Sequence, residues 1–293
     1  AFGNSMMLRL AMRMTKADAA SAQAWAVKAI SAGTMTSNDH IAAVTHTDGP
    51  EGINKNGHGE VFDVDSQMRL SATFEAHLSG DPRLSVLFAP GSSNTVIVGM
   101  PNGSTSDTYV GTDGVTVPGV TDRHVYAQTH PALRGKDVPM VFQTYAEVEF
   151  LKAEAAIRGW ISSSAKEHYD KGVTAAMKML KQLYPASTAI TDAEISAYLA
   201  GPGAYDASKG WEMAMNEYWK ATFLNEYEAY ANWRRTGYPT LTPTKHPNSV
   251  SNNQIFRRMI YPGGESATNG DNYAAAVARQ GADDFTTRMW WDK

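Results

Sequence analysis

Paired glutamates in one helical stretch are the first residues whose spacing could support catalysis. The two candidate pairs are Glu212 with Glu217 and Glu226 with Glu228. Two carboxylates at a suitable separation would supply the acid and the base of a glycoside hydrolase. Side chains two positions apart on a helix cannot face the same way, which argues against Glu226 with Glu228. We therefore interpret these glutamates as solvated helix surface, and a glycoside hydrolase stays the third of three function classes.

Residues that commonly bind metal ions show no metal-site spacing. The chain has no cysteine, and its eight histidines are scattered, with only His124 and His130 in one loop segment. Asp113 and Asp122 lie in glycine-rich loops where calcium ligands could assemble, but no EF-hand pattern surrounds them. Phosphate-binding, dinucleotide-binding and nucleophile-elbow motifs are also missing from the sequence. We therefore expect no metal site and no cofactor.

Aromatic and polar side chains in loops are the best candidates for contact with a ligand. Exposed rings can stack on the apolar faces of sugars, and neighbouring amide and hydroxyl groups can bond to sugar hydroxyls. Phe88 belongs to the same group of loop rings. The candidate ligand-binding residues are Phe62, Tyr109, Asp122, His124 and Tyr126. Their choice depends on composition and loop position, because no motif marks a particular residue.

Two arginine pairs could bind an acidic group or could serve the fold. Arg234 and Arg235 follow Trp233 at the end of a predicted helix. A cation is favoured at a helix C-terminus, where a guanidinium can also bridge backbone carbonyls. We favour this structural role for the first pair and equally for Arg257 and Arg258.

The stretch from Trp211 to Pro239 is the element around which the chain is organised. Its large apolar residues recur in steps of four and three, which predicts one face of a single helix roughly six turns long. These residues are Trp211, Met215, Trp219, Phe223, Tyr227 and Tyr230. Gly237 and Pro239 predict its end. We expect other helices to pack against this aromatic face.

Composition divides the chain into four segments, 1–33, 34–139, 140–239 and 240–293, of one mainly helical domain. The first segment predicts a helical hairpin whose second helix is capped by Asp18. The second is rich in Gly, Pro, Asn, Asp, Ser and Thr and predicts loops. Within these loops we expect a helix at Ser66–Leu78 and a β-prone piece at Thr95–Val98.

Helical patterns return after residue 140. Thr144 and Thr191 each begin a capping box, in which Thr is followed three residues later by Glu. The first box opens an αα-hairpin whose second helix is Ala165–Leu183. Small residues in these hairpins are spaced as in tetratricopeptide units. One more helix is predicted near Tyr273–Arg279, within a mostly irregular C-terminal segment.

Charge and hydropathy exclude several classes of protein. A net charge of −4 offers no basic surface for nucleic acid. No apolar run reaches the length of a membrane-spanning helix, and no signal-peptide pattern opens the chain. The chain starts without methionine and almost at once in helical sequence. We therefore expect that an upstream part, with any sorting signal, is missing.

Several motifs along the chain resemble SusD/RagB-type outer-membrane lipoproteins and follow that family's order. The stretch EAYANWRRTGYP, at 228–239, is similar to the signature of the subgroup that carries RRTGYP. The other matching stretches are NSMMLRLAMR at 4–13, DPRL at 81–84, TYAEVEFLKAEAA at 144–156, RRMIYP at 257–262 with Glu265 and Asn269, and WWDK at 290–293. Their common order indicates one family rather than separate coincidences.

The resemblance implies a mainly α fold, a SusD-like α-α superhelix of tetratricopeptide-like hairpins with a large irregular, loop-rich ligand-binding portion. It implies a non-enzymatic protein that captures glycan at the extracellular face of the outer membrane of Bacteroidetes. The glycan would then be delivered to a SusC-like TonB-dependent transporter. The alternatives are a peptide-binding member of the family and a helical-repeat adaptor without a small ligand. The family's N-terminal part and its lipid anchor are absent from this sequence, which we therefore expect to be N-terminally truncated.

Overall fold

Helices dominate the computed structural model, which describes residues 1–50, 54–64, 68–103, 123–245 and 248–292. Its α-helices are α1 (Phe2–Arg13), α2 (Ala19–Ser31), α3 (Gly57–Val64), α4 (Ala72–His77), α5 (Leu84–Leu87), α6 (Tyr145–Ile157), α7 (Ala165–Leu183), α8 (Asp192–Ala200), α9 (Gly210–Ala221), α10 (Glu226–Thr236), α11 (Glu265–Thr268) and α12 (Gly270–Gln280). Short 3-10 turns occupy Asn38–His40, Arg123–Val125, Pro131–Leu133 and Ala207–Lys209. In the described ranges, no helix combines the length and the apolar character needed to cross a membrane. The mainly α fold class is confirmed.

Two small antiparallel ladders connect distant positions within and beside the loop-rich segment. The strands are β1 (Ala42–Val44), β2 (Phe88–Ala89), β3 (Gln128–Thr129) and β4 (Met140–Gln143). β1 pairs with β4, with Val44 opposite Met140 and a shift in register after Ala42. β2 pairs with β3, with Phe88 opposite Thr129. Both ladders join distant parts of the chain, so they close loops rather than extend a sheet.

The hairpin of α6 and α7 forms the centre of the core. α6 is buried on most of its circumference because α1, α7 and α9 all pack against it. Gly172 on α7 faces Phe150 on α6 so closely that an added Cβ would lie 2.5 Å from the ring. A second hairpin, α1 with α2, packs through the fully buried Ala22, Ala26 and Ala29. Small residues therefore set the close approach in both hairpins.

The predicted helix caps are present. The Asp18 side chain accepts a hydrogen bond from the Ser21 amide at 3.0 Å and caps α2. Thr144 and Thr191 each form a reciprocal capping box with the glutamate three residues later. Gly237 ends α10 in the left-handed conformation, with φ of 79°. These four predictions are confirmed. Each could be made from the sequence because a helix cap depends on residues only a few positions apart.

The prediction of one six-turn helix from Trp211 to Pro239 is wrong. α9 ends at Ala221 and α10 begins at Glu226, and Leu224 between them has φ of 64°. A leucine in the left-handed region is uncommon, and neither glycine nor proline marks the break. The apolar residues keep the same spacing across the turn, so their periodicity does not reveal the break between α9 and α10.

The buried face of α9 also differs from the predicted aromatic stripe. Tyr218, which is not in the stripe, is fully buried against α6. Trp211 is exposed and Trp219 is half-buried, while Tyr227 on α10 is 84% exposed. The tyrosine hydroxyl reaches buried glutamates, and this polar contact determines which face turns inward.

Two predictions in the loop-rich segment are wrong. The helix expected at Ser66–Leu78 is the shorter α4, whose N-cap Ser71 accepts a hydrogen bond from the Phe74 amide at 3.1 Å. Thr95–Val98 forms no strand, because the Thr95 and Val96 amides donate to the Asn94 side chain instead of to a partner strand. The Val98 carbonyl accepts a hydrogen bond from the Ala127 amide at 2.8 Å. The C-terminal helix expected near Tyr273–Arg279 is confirmed as α12.

Candidate functional site

A cleft of about 340 Å³ opens between α3, residues 68–74 and the turn that joins α9 to α10. Its aromatic lining consists of Phe62, Phe74, Phe88, Trp219 and Phe223. Its polar lining includes His58, Arg69, Ser71, Thr129, Thr222 and Glu226. We call this space the aromatic cleft. An apolar wall with a few polar groups is the usual composition of a site for a small organic ligand.

The rings of the aromatic cleft hold one another in place around Phe74. Trp219 meets Phe74 edge to face, with centroids 4.7 Å apart, and Phe223 stacks on it at 5.5 Å. Phe88 closes the group from the core side, 5.8 Å from Phe74. Such offset and edge-on arrangements are the favoured geometries of aromatic pairs. Because Trp219 and Phe223 are only half-buried, part of this fixed wall faces the cleft.

The break between α9 and α10 creates one side of the aromatic cleft. Leu224, at the break, lines the cleft together with Thr222 and Glu226. A non-glycine residue in the left-handed region costs on the order of 1–3 kcal/mol, which the surrounding packing must offset. The Thr222 carbonyl accepts a hydrogen bond from the Asn225 amide at 2.9 Å and stabilises the turn. The strained residue therefore lies in the wall of the site.

An ion pair bridges two elements of the cleft lining. His58 Nε2 on α3 lies 3.1 Å from Glu226 Oε2 in the first turn of α10. The hydrogen bond to Glu226 raises the pKa of His58 above its usual value, and the same bond lowers the pKa of Glu226. Both side chains keep contact with solvent. The bridge therefore joins α3 to α10 without closing the cleft.

A buried ion cluster on α9 fixes the helix that carries Trp219. The Glu217 carboxylate accepts hydrogen bonds from Arg83 at 2.6 Å and from Lys220 at 2.7 Å. Asp81 binds the same two cations, at 2.5 Å and 3.3 Å. Burial alone would raise the pKa of Glu217, but Arg83 and Lys220 hold it at about 2. Two cations thus balance two anions in the core.

A second buried cluster joins α1, α6, α9 and α10. Arg13 donates to both carboxylate oxygens of Glu228, at 2.8 and 2.9 Å. Arg9 pairs with Glu147, and the Tyr218 hydroxyl donates to Glu228 at 2.9 Å. Burial raises the pKa of Glu147 despite the neighbouring Arg9. Here too the formal charges cancel.

The interpretation of Glu217 and Glu228 as solvated helix surface is therefore wrong. Each carboxylate is buried and bound to arginines from distant segments of the chain. Glu226 is exposed, as the sequence predicts. Carboxylates that are neutralised in the core are not placed to protonate a glycosidic oxygen or to activate water.

The arginine pair at the end of α10 has the structural role that the sequence favoured. Arg235 is buried and pairs with Glu154 on α6. Arg234 donates to the Arg257 carbonyl at 2.8 Å, and its guanidinium lies 4.6 Å from the centre of the Trp291 ring. The partners come from another helix and from the C-terminal segment, not from the carbonyls of α10 itself.

The structure places one predicted ligand-binding residue, Phe62, in the aromatic cleft. His124 is half-buried in a 3-10 turn next to the cleft, since Arg69 Nε donates to the Arg123 carbonyl at 3.1 Å. Tyr126 is only 1% exposed, so the expectation of an exposed loop ring is wrong for this residue. The ring is covered because the chain next to it is bonded to other segments: the Ala127 amide donates to the Val98 carbonyl at 2.8 Å, and the Ala127 carbonyl accepts from the Leu70 amide at 2.8 Å.

The remaining predicted residues, Tyr109 and Asp122, lie outside the residues that the structure describes, as does Asp113. Within the described ranges, no group of three or more His, Asp or Glu side chains could hold a metal ion. The chemistry of the aromatic cleft is instead that of ring stacking and hydrogen bonding.

Sequence reasoning missed Phe74, Trp219 and Phe223 as site residues, because it assigned the last two to a packed helix face. Asn225 is the signal that could have located them. It is a residue type that favours helix N-caps, it stands inside the predicted long helix, and it is the N-cap of α10. A break there turns the adjacent rings toward a surface.

Comparison with known proteins identifies the family. The family model "SusD-like_2: Starch-binding associating with outer membrane" matches residues 1–262. A chitin-binding protein of known structure is 32% identical to this chain in sequence, with a TM-score of 0.84. The match covers 99% of this chain and 63% of the chitin-binding protein. The "Bacteroidetes AC2a SusD-like" structure is 28% identical in sequence, with a TM-score of 0.85. This match covers 100% of this chain and 69% of the chain in that structure.

A SusD homologue from Bacteroides vulgatus ATCC 8482 is 25% identical in sequence, with a TM-score of 0.79. The match covers 99% of this chain and 61% of the homologue. The chain thus spans 61 to 69% of the length of these three structures. No curated protein matches the chain. The family match covers most of the sequence and agrees with the fold. The chain belongs to the SusD-like family, which is described as starch-binding and associated with the outer membrane.

Proposed function

We propose that this protein binds an oligosaccharide in the aromatic cleft and has no enzymatic activity. The observation that carries the proposal is the fixed wall of rings around Phe74, with Trp219, Phe223 and Phe62 half-buried on a cleft of about 340 Å³. The apolar faces of sugars stack on such rings, and the polar lining offers partners for hydroxyl groups. The starch-binding family description and the chitin-binding relative support a glycan as the ligand.

The buried carboxylates support the non-enzymatic part of the proposal. A glycoside hydrolase needs two carboxyl groups that reach the scissile bond from a solvent-accessible site. Glu217 and Glu228 are buried, and each is held by two cations. Replacing either residue would therefore affect folding before it affected any reaction.

We further propose that the bound glycan passes to a SusC-like TonB-dependent transporter at the extracellular face of the outer membrane. The family description supports an outer-membrane location. Co-purification of the affinity-tagged full-length protein from outer membranes should recover such a transporter, and protease added to intact cells should cleave the tagged protein.

Calorimetric titration of the full-length protein tests ligand binding. The probes are maltose-, chitin-, cellulose- and xylan-derived oligosaccharides, with a set of short peptides. Phe62 is half-buried but lies outside the apolar core, so Phe62→Ala should leave the fold intact. Burying one such ring contributes about 1.5–3 kcal/mol, so this change should weaken oligosaccharide binding by about tenfold or more. Phe142→Ala is the matched control, because Phe142 is 48% exposed and away from the cleft.

Each alternative function has its own outcome in these experiments. Binding of peptides but not of any oligosaccharide would establish the peptide-binding alternative. Recovery of the transporter with no ligand of either kind would favour the helical-repeat adaptor. Release of product from a chromogenic glycan would contradict the non-enzymatic proposal.

A further inference from the structure

A second cleft, of about 390 Å³, lies beside the aromatic cleft and shares Phe62 with it. Half of its lining residues are charged, namely Asp48, Asp63, Arg134 and Lys136. We call it the polar cleft. Because one ring belongs to both linings, a chain-like ligand stacked on Phe62 in one cleft has its next unit in the other.

The backbone that carries Arg134 is held firmly against α3. Asn56, just before α3, is buried and joins α3 to the segment that carries Arg134. Its backbone amide donates to the Lys136 carbonyl at 2.7 Å, and its side-chain Nδ2 donates to the Val138 carbonyl at 3.1 Å. Gly59 lies so close that an added Cβ would be 2.5 Å from the Gly135 carbonyl oxygen. Arg134 itself ends the 3-10 turn that His130 caps. Its position relative to Phe62 is therefore set by the fold.

Arg134 differs from Lys136 in the same cleft, and from the nearby Lys55, in having no counter-charge. Lys136 binds Asp63 at 2.6 Å, and Lys55 lies 3.4 Å from Asp48. Arg134, which is half-buried, forms no ion pair and no side-chain hydrogen bond with any residue in the described part of the chain. An arginine stays charged at every physiological pH. A half-buried guanidinium without an anion is thus available to a ligand.

We propose that the polar cleft binds the carboxylate of an acidic sugar unit through Arg134, while the neighbouring unit lies on Phe62. This inference rests on the proposed function, because it assumes that an oligosaccharide occupies the aromatic cleft. A carboxylate is planar and accepts two parallel N–H bonds from a guanidinium, which makes it a better match than a neutral hydroxyl. Asp48 and Asp63 would repel an anion, but Lys55 and Lys136 already neutralise them. The ligand class is therefore a uronic-acid-containing oligosaccharide.

Oligouronates and their methyl esters test this inference, because esterification removes the charge and keeps the sugar. The probes are oligogalacturonate and alginate oligomers, each titrated as free acid and as methyl ester into the full-length protein. A charge-assisted hydrogen bond corresponds to about tenfold or more in affinity, so the wild type should prefer at least one acid over its ester by that factor. Arg134→Gln should abolish the preference, because the acid loses its charge-assisted bond and should then bind no more tightly than the ester. The control is the double change Lys136→Gln with Asp63→Asn, which removes this ion pair as a unit, leaves no uncompensated carboxylate in the cleft and should keep most of the preference.

The outcomes separate this inference from the proposed function. Equal binding of acid and ester by the wild type, or a preference that survives Arg134→Gln, would overturn the role of Arg134 while glycan binding stands. Tighter binding of glutamate-rich peptides than of any oligouronate would overturn the ligand class. If neither acids, esters nor neutral oligosaccharides bind, the proposed function itself fails.

Discussion

Arg235 on α10 donates two hydrogen bonds of 2.7 Å, one to each carboxylate oxygen of Glu154 on α6. Arg158 adds a third bond to the same carboxylate, at 2.8 Å. Burial opposes ionisation of Glu154, but Arg235 and Arg158 keep its pKa below the usual value. This pair links two stretches that carry the family resemblance, 81 residues apart in sequence.

Removing Arg235 should destabilise the protein severely. Arg235→Ala leaves the Glu154 carboxylate buried with only Arg158, which lies nearer the surface, as a counter-charge. Breaking a buried ion pair in this way costs about 3–5 kcal/mol. Urea unfolding followed by circular dichroism measures the loss. Lys166→Ala is the control, because the exposed pair Lys166–Asp170 should contribute no more than about 0.5 kcal/mol.

If Arg235→Ala does not fold, the double replacement Arg235→Met with Glu154→Leu provides the measurement. It removes both charges and keeps side-chain volume, so it should be less destabilising than a single change that leaves one charge alone. A double variant that is less stable than both single variants would contradict this account of the pair.

Acid should weaken the cluster around Glu217. Its folded pKa of about 2 lies below the usual glutamate value of 4.5, so the stabilisation is fully present above pH 4.5. It is lost as the pH falls through the window from 4.5 to about 2, because the carboxylate must then be protonated. The difference in unfolding free energy between wild type and Glu217→Gln should therefore shrink between pH 5 and pH 2.5. A difference that stays constant over this range would show that Arg83 and Lys220 do not depress the pKa.

Gly172 should not tolerate even a methyl group. Alanine would gain about 1 kcal/mol of helix propensity within α7, but its Cβ would lie 2.5 to 2.9 Å from ring atoms of Phe150. Phe150 is fully buried and cannot move aside, so overpacking of about 1–3 kcal/mol should outweigh the gain. Gly3→Ala in α1 is the matched control, since nothing lies within 4 Å of an added Cβ there. The prediction fails if the two variants have the same thermal stability.

His58 should titrate above its usual pKa of 6.5 because of its hydrogen bond to Glu226. The stabilisation from this bridge is fully present below pH 6.5 and is lost as the pH rises through the raised pKa. It should amount to no more than about 1 kcal/mol, because both side chains contact solvent. Nuclear magnetic resonance titration of the imidazole measures the pKa directly. Glu226→Gln should return it toward 6.5, and an unchanged titration curve would exclude the bridge in solution.

The sequence by itself determined several helix ends and the family to which the chain belongs. Asp18, Thr144, Thr191 and Gly237 act on backbone groups within four residues, so their effects can be predicted from local spacing alone. The family stretches are recognisable for the same reason, since each is a short run of residues. Phe62 could be selected as a candidate because a ring in a polar stretch is a local observation, although the structure places it on α3 and not in a loop.

Only the tertiary structure decided which charges are buried and where the cleft lies. Glu217 meets an arginine 134 residues away, and no periodicity in α9 reports that partner. The turn at Leu224 exists because packing on both sides offsets an unfavourable backbone conformation, and the spacing of the apolar residues does not reveal that packing. The aromatic cleft combines α3, residues 68–74 and the α9–α10 turn, so its lining depends on long-range packing. The spacing of neighbouring residues predicts individual helix ends. The site, in contrast, depends on contacts between helices and loops that are far apart in the chain.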